Sequence, residues 1–185
     1  MAVVNYSLTT AINFKIRKEI LKIMKYAAIK LNDVANAPGI ALSFYTQGCP
    51  HHCENCFNPE TWDPNGGQEF TQETLDTILN NIRANGIHRS LCVLGGEPLS
   101  DDNALLTQLV IDSVKEKYPD TPVYVWTGYT LKQLLERNNK RVKDILKSID
   151  YLIDGPYIES LKNINLPMRG SSNQQVINLH KVDLT

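Results

Sequence analysis

The stretch "IALSFYTQGCPHHCENCFNPETW", Ile40 to Trp62, decides the fold and points at the chemistry. Its first seven residues, Ile40–Thr46, are β-branched and aromatic and read as a strand. The strand runs straight into a loop that places Cys49, Cys53 and Cys56 within eight residues. Only one further cysteine, Cys92, occurs in the chain. Three crowded thiols without a fourth beside them pose a definite chemical question.

Outward from this stretch, short β-rich runs alternate with helical ones. "FTQETLDTILNNIRANG" carries Leu75, Ile78, Leu79 and Ile82 at helical spacing, with Gly86 as its stop. "SLCVLGG" (Ser90–Gly96) is a short buried strand broken by two glycines. Residues 102–118 repeat the helical pattern with Leu105, Leu106, Leu109 and Val110, and Pro119 ends it. "PVYVWTGY" (Pro122–Tyr129) is the next strand, followed by helical pieces at Leu131–Leu135 and Val142–Ile149. "YLIDGPY" (Tyr151–Tyr157) is a strand ending in a turn, and "QQVINL" supplies a last strand.

Strand followed by helix, at least three times over, predicts an α/β fold with a mostly parallel sheet and crossover helices. Ligands of such sheets gather beyond the carboxyl ends of the strands. The polar punctuation falls there: "GCPHHC", "GGEP", "TGY" and "DGP" each follow a strand. No internal repeat, low-complexity tract or linker interrupts residues 24–185, which read as one domain.

The bulk values agree with a globular chain. It has 185 residues, 42% apolar and 21% charged, with a net charge of −1. Near-neutral charge argues against a nucleic-acid partner, and no apolar run has membrane-spanning length. Residues 1–23 lack a secretory signal. Ile12, Ile16, Ile20 and Ile23 share one helical face, with Lys15, Arg17, Lys18 and Lys22 elsewhere on it. This segment is a docking helix or an extension outside the catalytic domain; Met24 opens "MKYAAIKL", which resembles a natural beginning. Clustered cysteines without a secretion signal indicate a metal or redox site in a reducing compartment, and a cytoplasmic protein.

The spacing of the cluster is Cys-x3-Cys-x2-Cys. Structural zinc takes four ligands, commonly from two paired knuckles. The second knuckle is absent, and tetrahedral coordination by His51 or His52 inside so tight a loop is strained. A [4Fe–4S] cluster takes one ligand per iron. Three cysteines hold three irons and leave the fourth open, and an open position is the mark of a catalytic site.

Cys49-x3-Cys53-x2-Cys56 resembles the signature of the radical S-adenosylmethionine (SAM) enzymes. "NAPGIALSFYTQGCPHHCENCFNPETW", "GGEPL", "VWTGY", "YLIDGPY" and "MRGSSNQQVINL" together resemble the activating enzymes of anaerobic (class III) ribonucleoside-triphosphate reductase, collinearly over about residues 24–180. The cysteine triplet identifies the superfamily; "WTGY" and "RGSSNQ" point to the narrower family.

The resemblance implies a radical SAM partial (β/α) barrel and an oxidoreductase. It implies a [4Fe–4S] cluster on Cys49, Cys53 and Cys56, with SAM bound at the open iron. An electron would cleave SAM to methionine and a 5′-deoxyadenosyl radical, which takes hydrogen from a backbone glycine of the partner reductase to leave a glycyl radical. The low potential required lies within the reach of [4Fe–4S] centres, which extend to roughly −700 mV. A flavodoxin-like or other low-potential electron donor is the expected second partner. The cofactor and the cluster carry the chemistry, with no side chain expected as acid or base.

Gly95, Gly96 and Glu97 of the "GGEP" turn are expected at the amino end of SAM. Glycines admit a close backbone approach, and Glu97 is able to accept from an ammonium; the bare motif also makes an ordinary turn. By resemblance Asn55, Cys56 and Phe57 lie against SAM. Trp126, Thr127, Gly128 and Tyr129 border the adenosine side, or Trp126 is a core aromatic. Asp154 reaches the site or makes a turn with Gly155 and Pro156. The segment Arg169–Gln174 closes the site, receives the reductase's glycine loop, or is a surface turn. His51 and His52 read as loop residues, and Cys92 as a buried, inert thiol.

Three positions depart from the pattern. Asn55 stands where the wider superfamily favours an aromatic, which the narrower family often lacks too. Ala37 stands where the family has glycine, and Met168 where it often has tryptophan. Rival functions are an activase for another glycyl-radical enzyme of the formate-lyase type, a radical SAM enzyme on a small molecule of the deazapurine-synthesising kind, and a non-catalytic metal-binding module.

Overall fold

The computed structural model describes residues 23–184. The amphipathic pattern over Ile12–Ile20 lies outside them. One seven-stranded sheet carries the fold, in the order β3-β1-β2-β4-β5-β6-β7. Its strands are β1 (Lys25–Asp33), β2 (Ala41–Thr46), β3 (Gln68–Glu69), β4 (Ser90–Gly95), β5 (Val123–Trp126), β6 (Tyr151–Asp154) and β7 (Gln175–Asn178).

The expected parallel core is present. β2, β4, β5 and β6 pair in parallel. The flanks differ: β1 runs antiparallel to β2 and to β3, and β7 runs antiparallel to β6. β1 was not legible as a strand, because most of its residues are only half-buried and the expected alternation of apolar and polar residues is blurred. β3 has two exposed residues and no pattern to read.

Four helices connect the parallel strands: α1 (Gln72–Asn81), α2 (Ala104–Lys117), α3 (Leu131–Glu136) and α4 (Lys140–Ser148). α1 starts at a capping box in which Thr71 and Thr74 bond reciprocally. It stops before the expected Gly86, since Asn85 already takes a left-handed φ of 57° in the following turn. α3 opens on a second capping box, Thr130 with Gln133. Asn139 caps α4 through the Val142 N–H.

Successive strands step in one direction across the sheet. Crossovers of one hand that always step the same way must put every helix on the same face. The packing agrees. Leu75, Ile78, Val110, Ile111, Val114, Leu134, Val142 and Ile145 join Leu42, Phe44, Leu91, Val93, Val123, Val125 and Leu152 in a single core. The alternate strand residues Ala41, Tyr45, Cys92, Leu94, Tyr124 and Ile153 face the other way and form a smaller cluster with Trp126 and Met168. No described helix packs into that second cluster. The helix-free face and the carboxyl ends of the four parallel strands meet at one edge.

Among the described residues no helix is long and apolar enough to cross a membrane.

Candidate functional site

The loops leaving β2, β4, β5 and β6 converge on one open cleft. The β2 loop contributes Cys49, His51, Cys53, Cys56, Phe57 and Asn58. Gly95, Gly96 and Glu97 come from the end of β4, and Trp126, Thr127 and Gly128 from the end of β5. Gly155 and Tyr157 follow β6, and Gln174 comes from the loop before β7.

Backbone bonds stitch these loops together. The Gly96 N–H donates to Thr46 O and the Glu97 N–H to Gly48 O, both at 2.9 Å. The Asn103 amide donates to both Gly48 O and Glu97 O at 3.0 Å. The Thr127 N–H donates to Ile153 O and the Gly155 N–H to Tyr129 O. A Cβ on Gly96 would stand 2.4 Å from Gly48 O, so the two turns touch only because this residue is glycine.

The three cysteines are free thiols, each half-buried. Burial pushes the Cys49 thiol up to about 11; the nearby Glu97 and Cys53 add to this, while the His51 and His52 N–H groups oppose it. Burial likewise raises Cys53, against the Tyr157 N–H. The Asn58 N–H donates to Cys56 Sγ at 3.4 Å. Each sulfur therefore has a backbone donor, yet a thiolate at Cys49 or Cys53 is disfavoured without a positive partner. Soft thiolates with N–H groups aimed at them, awaiting compensating charge, match an iron–sulfur cluster.

The histidines are engaged elsewhere. His51 Nε2 donates to Glu97 Oε2 at 2.9 Å, and its ring packs edge-on to Tyr129 at 4.5 Å. The His52 ring packs against Trp62 at 4.8 Å. Among the described residues no group of three His, Cys, Asp or Glu side chains is placed to hold a single metal ion.

Glu97 is 1% exposed, and four protein donors meet its carboxylate. Oε1 accepts from the Leu99 N–H at 2.9 Å and from Thr127 Oγ1 at 2.8 Å. Oε2 accepts from the Gly128 N–H at 2.7 Å and from His51. A buried carboxylate accepts about this many bonds when fully satisfied.

Of the remaining expected residues, Phe57 lines the cleft, 60% exposed, edge-on to Tyr157. Asn55 is exposed and does not line it; its φ of 52° shapes the turn before Cys56, a conformation asparagine tolerates. Asn58 lines the cleft and was missed. Trp126 borders it, with Nε1 donating to Met168 O at 2.8 Å. Asp154 is turned away into the fold, accepting the Leu131 N–H at the start of α3. The Arg169–Gln174 segment bonds to itself and to the turn after β6: Gln174 Oε1 accepts from the Gly170 and Ser171 N–H groups, and Nε2 donates to Gly155 O. Cys92 is fully buried, its thiol pushed up to about 12 by burial and then by Asp33. At "NAPG" the left-handed residue is Gly39, with φ 79°, so Ala37 sits in the turn without strain.

An α/β sheet whose strand-end loops gather three thiols defines the class, a single-cluster iron–sulfur domain. The family described as "4Fe-4S single cluster domain" matches residues 35–177. A Salmonella typhi protein named anaerobic ribonucleoside-triphosphate reductase-activating protein is 34% identical over 157 residues, covering 84% of this chain and 99% of its own. Proteins of the same name from Escherichia coli K12 and enterobacteria phage T4 are 34% and 32% identical, over 80% and 83% of this chain and 94% and 93% of theirs. The chain belongs to the family of anaerobic ribonucleoside-triphosphate reductase-activating proteins.

Proposed function

We propose that this protein is a radical SAM activating enzyme, an oxidoreductase that generates a glycyl radical on anaerobic ribonucleoside-triphosphate reductase. The observation that carries this reading is the convergence of four strand-end loops on one cleft, with three thiols on one wall and the Gly95–Glu97 turn on another. The names of the relatives supply the partner.

Cys49, Cys53 and Cys56 would hold a [4Fe–4S] cluster. When bound, the cluster with SAM supplies a single electron that cleaves SAM to methionine and the 5′-deoxyadenosyl radical, which takes hydrogen from a backbone glycine of the reductase. The chain's own residues bind and orient. The N–H groups beside the sulfurs stabilise thiolates and tune the centre. Gly95 and Gly96 let the β4 turn approach the cysteine loop, Glu97 fixes that turn, and Phe57 and Cys56 form the facing wall. Asn55 contributes the turn that presents Cys56. No side chain acts as acid or base. A low-potential donor of the flavodoxin kind supplies the electron.

All the described helices lie on one face, and the opposite face leads into the cleft. That arrangement supports reading the described sheet and helices as a partial (β/α) barrel. In a reducing cytoplasm the thiols stay available for the cluster.

Anaerobic reconstitution followed by dithionite and SAM tests this. A [4Fe–4S] spectrum, 5′-deoxyadenosine and, with purified reductase added, a glycyl-radical EPR signal are expected. A colourless zinc protein, or a cluster that leaves SAM intact, would sink the proposal.

A further inference from the structure

We propose that His51 is a positioning residue: held by Glu97, Gly128 and Tyr129, it fixes the cysteine loop against the turns that would carry SAM. The inference rests on the activase reading and extends it to a residue that neither the cysteine motif nor the glycine turn includes.

Glu97 gathers three loops through one carboxylate. The Leu99 N–H comes from its own turn, and the Thr127 hydroxyl and Gly128 N–H come from the end of β5. The fourth donor, His51 Nε2, comes from between Cys49 and Cys53. The backbone bond from the Glu97 N–H to Gly48 O anchors the loop only before its first cysteine. His51 therefore supplies a tie between the turn after β4 and the inside of the cysteine loop.

The ring sits in a built slot. Tyr129 packs edge-on at 4.5 Å. A Cβ on Gly128 would stand 2.4 Å from the ring's Cδ2, so this glycine leaves the space the imidazole occupies. Nε2 is taken by Glu97, so a ligand role would fall to Nδ1 alone, and the iron content of the His51 variants decides it. A hydrogen bond to a buried carboxylate is among the stronger kinds, and losing one leaves the acceptor unsatisfied. Without His51, the Cys49–Cys53 segment is free to shift relative to Glu97 and the glycine turn.

Three variants test this: His51→Ala, His51→Gln and Gly128→Ala, the last crowding the ring with a methyl group. Each is reconstituted anaerobically, and iron content, SAM affinity and the EPR spectrum of the reduced cluster with and without SAM are measured. His51→Ala and Gly128→Ala should keep the iron content of the unaltered protein. They should weaken SAM binding by about tenfold, the size expected for one lost hydrogen bond to a charged group. The SAM-induced spectral change should shrink in parallel. His51→Gln, which retains an N–H donor, should recover most of both. In the cluster-free protein, backbone hydrogen exchange over residues 49–53 and at Gly128 should quicken in His51→Ala.

Unchanged SAM affinity and spectra in His51→Ala would overturn the proposal. So would loss of iron in both His51 variants, which would make the residue a ligand. If the unaltered protein binds iron but does not respond to SAM, the activase reading fails, and the exchange measurement still decides the role of His51.

Discussion

Gly96 illustrates how one missing side chain holds two loops in contact. A Cβ there would meet Gly48 O at 2.4 Å and Thr46 O at 3.1 Å, both backbone atoms of the strand and loop that carry the cysteines. Gly96→Val is therefore expected to push the cysteine loop away before it obstructs any ligand. The strain should cost about 1–3 kcal/mol and lower iron content, readable as a reduced Tm and reduced iron per chain. Full iron loading with only SAM binding lost would instead place the crowding against the ligand. Cys92 is the converse case, a thiol packed into the smaller apolar cluster with Asp33 and Ser43 beside it and with its hydrogen bond going to Asn36 O at 3.6 Å. Cys92→Ala should leave iron content unchanged and cost about 1 kcal/mol, the scale of a small buried deletion; loss of iron would make it a ligand after all. The thiol triplet and the glycine turn were legible in the sequence because their spacing is local. The bond from His51 to Glu97 was not, since the partners stand 46 residues apart and neither motif names the other. The same holds for Asp154, whose strand-end position suggested the cleft while its carboxylate caps a helix.

Among the elements, the parallel strands and their helices were readable because buried strands and amphipathic helices carry strong periodic signals. The antiparallel flanks were not: β1 and β3 draw their pairing from neighbours far along the chain. The joint between β5, β6 and α2 rests on Asp150, just before β6. Its Oδ2 accepts from the Lys115 amine of α2 at 2.9 Å and from the Val123 N–H of β5 at 2.8 Å, and its Oδ1 from His180 at 2.7 Å. Burial alone would raise this carboxyl, but the bonds from Lys115, His180 and Val123 together hold it below its ordinary 3.8. A carboxyl depressed in the folded state contributes stability that is fully present above its unfolded pKa, and loses it as pH falls through the folded one. Asp150→Asn should therefore destabilise the protein at pH 7, by about 1–3 kcal/mol for the weakened bonds. The gap to the unaltered protein should close as pH drops below about 3.8. Thermal unfolding of the cluster-free protein across pH 3–7 measures it; a gap that persists undiminished at pH 3 would assign the stability to packing and not to the charge.

At the scale of the molecule, the sheet divides labour between its faces. The helices stabilise one side through a single core, while the four strand-end loops on the cleft side are joined mainly by hydrogen bonds. Regions with few buried apolar contacts open most readily, so the cleft should be the low-stability part of the fold before a ligand closes it. A group bound to the thiols stabilises by its preference for the folded arrangement, and that preference is felt by every loop bonded to the cysteine loop. Through Gly48, Glu97 and Thr127 these are the turns after β4 and β5, and through Ile153 and Gly155 the turn after β6. Reconstitution is therefore expected to slow backbone hydrogen exchange together at residues 48–58, 95–99, 127–131 and 155–157. α2 and α4, on the far face, should change little. Hydrogen–deuterium exchange by mass spectrometry, comparing cluster-free and reconstituted protein under argon, gives the result directly. Slowing confined to residues 48–58 would mean that the cysteine loop binds its group alone, and that the hydrogen bonds across the cleft transmit nothing to the turns expected to receive SAM.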